Sequence, residues 1–113
     1  MREKVLVNFD YKYPKIQKLL KEIIKILEKD IKSPFKLYIF GSFATGKASY
    51  FSDLDLALET KKDLPISDLH KIKEEIENLR TLRKIDFVYL NKAPENLKKV
   101  VKKEGVLIYG SER

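Results

Sequence analysis

Hydrophobic positions recur along this chain with two different periods. Across residues 13–31, Ile16, Leu19, Leu20, Ile23, Ile24, Leu27 and Ile31 fall three or four apart. That spacing predicts an amphipathic helix. Residues 35–40, FKLYIF, form a compact apolar and aromatic run closed by Gly41, the mark of a buried strand. DLDLAL, from Asp53 to Leu58, alternates with period two and predicts a second strand. A polar connection over 61–65 leads to Ser67 or Asp68, either of which can cap a helix striped with Leu69, Ile72, Ile76 and Leu79.

KIDFVYL, 84–90, reads as a third strand. Pro94 then opens a helix that carries Leu97, Val100 and Val101 on one side and stops at Gly105. VLIYG ends the pattern as a short strand, and KVLVNF near the start is ambiguous, an extra edge strand being one reading. The order is helix, strand, strand, helix, strand, helix, strand. Two consecutive strands joined by a short glycine-containing loop point to an α+β fold, a small mixed β-sheet flanked by helices, not a doubly wound parallel sheet. With 113 residues, one domain over 1–113 and one modest core are expected.

The chain has no cysteine, which excludes disulfides, thiolate metal sites and a cysteine nucleophile. It shows no apolar stretch of signal-peptide or membrane-spanning length, so a cytoplasmic protein without membrane association is expected. Net charge is +7, but the lysines interleave with glutamates on the helical repeats. That is the pattern of solvated helix faces, and a nucleic-acid groove is not expected. A polyanionic small ligand or an acidic partner would use the same charge.

GSFATGKA, 41–48, matches the phosphate-binding template G-x-x-x-x-G-K-[ST] at every place but the last, where Ala48 stands for the hydroxyl. Alanine cannot ligate magnesium, and Ser49 comes one place late. A P-loop must also open a helix facing the phosphates, yet residues 47–52 leave room for at most one turn before the next strand. The spacing is that of a P-loop; the chemistry is not.

Asp53 and Asp55 are two apart, so in a strand both leave one face, about 6.7 Å apart at Cα. Leu54, Leu56 and Leu58 then face the core. Paired carboxylates repel unless cations lie between them, and magnesium, bound by one or two carboxylates plus substrate phosphates, is the natural compensator. Asp86 interrupts an otherwise apolar strand, which is costly unless it is metal-bound or paired with Arg83 or Lys84. If its strand neighbours DLDL, a third carboxylate joins the same site, and three can hold two cations for in-line attack at phosphorus. Gly41 would let backbone approach the phosphates, and Ser42 would donate hydrogen bonds to them.

GSFATGKASYFSDLDL followed by KIDFVYL resembles the G-S-x3-G-x5-S-D-[IL]-D-[IL] plus late aspartate signature of the DNA polymerase β-like nucleotidyltransferase superfamily. Over residues 15–110 the chain looks like its minimal nucleotidyltransferases. The resemblance implies ATP as substrate and two Mg²⁺ ions at the sheet edge. Gly41 and Ser42 would bind triphosphate, Asp53 and Asp55 the metals, and Asp86 would be third ligand and base. Ser52, within the motif, falls on the nucleotide side. Minimal members often pair with an all-helical HEPN protein, acting as antitoxins that adenylylate a tyrosine of the toxin. Many relatives read G-S-[RY]-A-[RK]-G, so Phe43 and Thr45 imply that a basic phosphate contact is missing, with Lys47 able to replace it.

Two other readings stand beside transfer of AMP to a partner protein. One is a non-catalytic antitoxin that occludes a HEPN toxin, suggested by Phe43 and Thr45. The other is an adenylyltransferase for small molecules, which would need a second wall that only a homo-oligomer could supply. His70 is expected on the surface, Glu59 as a strand-end charge, and Tyr38 and Tyr89 in packing, so that of these three tyrosines Tyr50 is the one free to stack on a base.

Overall fold

A computed structural model describes residues 4–6, 14–48, 52–81 and 83–111. Strand β1 (Lys4–Leu6) is followed by helix α1 (Pro14–Asp30), strand β2 (Phe35–Phe40), the single turn α2 (Ser42–Thr45) and strand β3 (Leu54–Thr60). Helix α3 (Ile66–Glu77), strand β4 (Ile85–Tyr89), a 3₁₀ turn over Leu90–Lys92, helix α4 (Glu95–Glu104) and strand β5 (Val106–Ser111) complete it. The five strands lie in the order β1-β5-β2-β3-β4. All neighbours are antiparallel except β3 and β4. The mixed sheet of an α+β fold is therefore present, and KVLVNF does supply an edge strand through Lys4–Leu6.

The period-two alternation of β3 sorts its side chains between two layers. Leu54, Leu56 and Leu58 are fully buried with Ile16, Ile23 and Leu27 of α1 and Ile72 and Ile76 of α3. Asp55, Ala57 and Glu59 face the other side. There Ala57 packs with Tyr38, Leu90 and Val101 beneath α4. One face thus has two helices and most of the core, whereas the other has α4 alone. Asp55, two residues before Ala57, stays half-buried.

Several boundaries depart from the sequence pattern. The second strand begins at Leu54, not Asp53, because its ladder with β4 starts at the Leu54 N–H, which donates to Lys84 O at 2.9 Å. Helix α3 starts at Ile66 behind Pro65, with no side-chain cap from Ser67 or Asp68; proline's fixed φ presets the first turn. Leu79 lies past the end of α3 but still packs on the core. Pro94 and Gly105 bound α4 as expected, but only Val101 of its stripe is buried, and Val100 is exposed. Among the described residues no helix is long and apolar enough to cross a membrane.

Candidate active site

Gly41 ends β2 with φ 76° and ψ −152°, a region essentially reserved for glycine. Its carbonyl accepts hydrogen bonds from the N–H groups of Ala44 (3.0 Å) and Thr45 (3.1 Å), closing the turn α2. Gly46, left-handed at φ 81°, stops it, and the Lys47 N–H returns to Ser42 O at 2.9 Å. The GSFATG stretch is thus one closed turn, not the mouth of a long helix. Residues 46–48 do not open a helix as a P-loop would.

The turn sits on Asp55. A side chain at Gly41 would collide with the Asp55 carboxylate, so the missing Cβ is what admits it. In the sheet Asp55 stands opposite Phe40 of antiparallel β2 and opposite Asp86 of parallel β4. Asp55 and Asp86 therefore share a face on adjacent strands, as the pattern anticipated. Burial, then the charges of Asp86 and Asp53, push the Asp55 pKa up, and Lys84 offsets this in part. The sheet face thus concentrates negative charge that a cation would relieve.

Asp86 is not the buried charge that its apolar strand suggested. The strand is an edge of the sheet and Asp86 is exposed, so no desolvation cost forces it to find a partner. Nor do Arg83 or Lys84 form an ion pair with it among the described residues. Asp53 is also exposed, on the segment entering β3. Among the described residues no three acidic, histidine or cysteine groups close into a preformed metal cage. What the fold does bring together is a pair of in-register carboxylates, Asp55 and Asp86, with Asp53 near enough to raise the Asp55 pKa. That donor set suits Mg²⁺, which is held by one or two carboxylates and completed by water and phosphate oxygens.

Phe43 is 4% exposed and belongs to the main core, so this position faces inward and does not stand in for a phosphate contact. Thr45 is exposed and its hydroxyl lies 3.4 Å from Gly41 O, back within the turn. Lys47 is exposed at the end of the turn, and Ser52 is half-buried. Arg83, which the sequence offers only as a partner for Asp86, has different contacts. Its guanidinium donates to Ser52 O at 2.6 Å and lies 5.1 Å over the Phe43 ring, touching both loops of the site at once. An arginine three residues before Asp86 was the available signal.

Away from this end of the sheet, Glu59 accepts hydrogen bonds from Lys102 Nζ (2.8 Å) and the Tyr38 hydroxyl (3.3 Å), which ties α4 to β3. It is a strand-end charge, as expected. His70 is exposed, Tyr38 and Tyr89 are buried, and Tyr50 lies outside the described residues.

Known proteins resemble this chain in sequence and in fold. The chain is 25% identical over 91 residues to a probable protein adenylyltransferase MntA of Haemophilus influenzae, covering 80% of each. A toxin–antitoxin crystal structure with AMP-PNP contains a chain 25% identical, with TM-score 0.58, over 78% of this chain and 70% of that one. A complex of tri-AMPylated Shewanella oneidensis HEPN toxin with MNT antitoxin matches in fold at TM-score 0.62 and 23% identity, over 81% and 70%. Residues 21–113 match the model of the polymerase beta nucleotidyltransferase family. The chain belongs to that family, and it is a nucleotidyltransferase.

Proposed function

We propose that this protein is an Mg²⁺-dependent adenylyltransferase that moves AMP from ATP to a hydroxyl of a partner protein, a tyrosine of a HEPN toxin, and so acts as the antitoxin of a cytoplasmic pair. The observation that carries the reading is the in-register pair Asp55 and Asp86 with the Gly41 turn seated on it. The likeness to an MntA adenylyltransferase, and to a chain of a toxin–antitoxin structure with an ATP analogue, supports the choice of nucleotide and partner.

In this reading Asp53, Asp55 and Asp86 hold two Mg²⁺ ions, which when bound neutralise triphosphate charge and lower the pKa of the attacking hydroxyl. Gly41 brings backbone close to the triphosphate, and the hydroxyl of Ser42 donates to it. Ser52 and Lys47 flank the same nucleotide, Lys47 as a mobile positive charge. The acceptor oxygen bonds to the α-phosphorus as the bond from that phosphorus to the bridging oxygen breaks, and pyrophosphate leaves with the electron pair. Asp86, exposed and unpaired among the described residues, takes the hydroxyl proton.

Labelled ATP, Mg²⁺ and the HEPN partner should give labelled partner. Asp53→Asn and Asp55→Asn should abolish labelling, while His70→Ala, on the exposed side of α3, should not. Absence of label on any partner counts against the reading. The alternative, a non-catalytic antitoxin suggested by Phe43 and Thr45, predicts that a double aspartate variant still neutralises the toxin.

A further inference from the structure

Arg83 links the turn after β2 to the segment entering β3 through side-chain contacts outside the backbone ladder. It stands one residue before the backbone contact that starts the β3–β4 ladder, where the Leu54 N–H meets Lys84 O, and three before Asp86. From there its Nη1 donates to the carbonyl of Ser52, the residue that precedes Asp53, at 2.6 Å. A charged donor at that distance is among the stronger hydrogen bonds. The central carbon of the same guanidinium lies over the ring of Phe43, the residue after Ser42, 5.1 Å from its centroid. Phe43 is itself rooted in the main core, so it is a fixed surface and not a mobile one.

We infer that Arg83 is a positioning residue, a clamp that sets the distance between the Gly41–Ser42 turn and the Ser52–Asp53 segment. The inference rests on the adenylyl-transfer reading for its effect on rate, though not for the clamp itself. The turn would carry the triphosphate and the second segment a metal-binding carboxylate, so the clamp fixes one reacting component against the other. Misplacement by about 1 Å can cost on the order of a hundredfold in rate. Arginine is required on two counts: it is charged at every working pH, and its planar fork can hydrogen-bond and stack at once, which a lysine ammonium cannot. Phe43 becomes the seat of that clamp.

The test compares Arg83→Ala, Arg83→Lys and Phe43→Leu in the full chain. For Arg83→Ala, amide hydrogen exchange should accelerate in both 42–48 and 52–54 while the melting temperature changes little. In the transfer assay kcat should fall about tenfold or more with a smaller change in the KM for ATP. Arg83→Lys should recover part of the rate, and Phe43→Leu should add little once Arg83 is gone, because the two act as one unit. Unchanged exchange in either segment overturns the clamp, as does a kcat within about twofold of wild type. So does a loss of rate that only mirrors a loss of folded protein. If wild-type protein transfers nothing to any partner, the functional reading fails by itself, and exchange together with binding of a fluorescent ATP analogue still decides the clamp.

Discussion

Gly41 lacks a side chain at the one place in the turn where the Asp55 carboxylate occupies the space a Cβ would need. Two constraints coincide there, because φ 76° with ψ −152° also excludes ordinary residues. Gly41→Ala should therefore cost about 1–3 kcal/mol of stability from backbone strain alone. It should also displace Asp55 and remove nucleotide transfer even in the molecules that remain folded. Thermal melting and single-turnover labelling, measured on the same sample, separate the two effects. A variant that is less stable but fully active would show that contact with Asp55 is incidental.

Asp55 and Asp86 both predict loss of activity without loss of metal-free stability. Burial and the neighbouring charges of Asp86 and Asp53 hold the Asp55 pKa above the ordinary carboxylate range, so the ionised group is a burden on the metal-free fold at neutral pH. Asp55→Asn should melt no lower than wild type without metal, yet lose activity by about a hundredfold or more. Millimolar Mg²⁺ should raise the melting temperature of wild type by mass action and leave that of Asp55→Asn unmoved. Asp86→Asn, at an exposed position, should lose activity with little change in metal-free stability. A melting temperature of wild-type protein that ignores Mg²⁺ at every concentration would argue against the carboxylates as its site.

These relationships show which features the linear pattern could carry. Strand β2 was legible to the residue, because a run of apolar and aromatic side chains ending in glycine has few alternatives. Helix α1 was legible to within one residue, because seven apolar positions share a single stripe. The Asp55–Asp86 pairing was legible only as a condition, that β4 should neighbour β3; strand order is a long-range property that local periodicity does not encode. For the same reason the burial of Asp86 was misjudged, since an edge strand and a central strand of this length can share one composition. The contacts of Phe43 and Arg83 were not legible because a motif aligns residue types, whereas their roles depend on which way each side chain leaves the backbone.

Tyr89 anchors the far end of β4 through a buried relay. The Leu64 N–H donates to its hydroxyl at 2.9 Å, and that hydroxyl lies 2.8 Å from Thr60 Oγ1. Thr60 Oγ1 donates onward to Lys62 O at 2.6 Å, so the tyrosine must be the donor to Thr60. Tyr89→Phe preserves the ring but leaves the Leu64 N–H without its acceptor. The expected cost is about 1–3 kcal/mol, the penalty for stranding a largely buried polar group. Because the relay is at the opposite end of β3 from Asp55, kcat should be unaffected. Chemical denaturation should show the loss in midpoint without a change in slope.

Asp30 and Glu75 make a second acidic contact, on the helical side of the sheet. Asp30 closes α1, where the helix dipole is unfavourable to a negative charge, and its side chain is only 5% exposed. Asp30 Oδ2 and Glu75 Oε1 are both buried without a hydrogen-bond partner, while Lys29 reaches Glu75 at 2.6 Å and Lys71 lies 3.7 Å from Asp30. A proton shared between the two carboxyls would satisfy both oxygens. Burial, then Glu75, raises the Asp30 pKa; the hydrogen bond from Asp30, then Lys29, lowers that of Glu75. Asp30 is thus the partner that favours its protonated form. An acid whose folded pKa is raised stabilises the fold fully below its unfolded pKa and loses that contribution as pH rises through the folded value. Asparagine at this position offers a permanent donor to Glu75 and never ionises. Asp30→Asn should match wild type near about pH 4 and gain on it steadily towards about pH 8. Asp30→Ala, which has no donor, should stay below Asp30→Asn throughout. Melting temperatures of the three proteins across that range are the measurement, and a gap between Asp30→Asn and wild type that does not change with pH would mean that the two carboxyls share no proton.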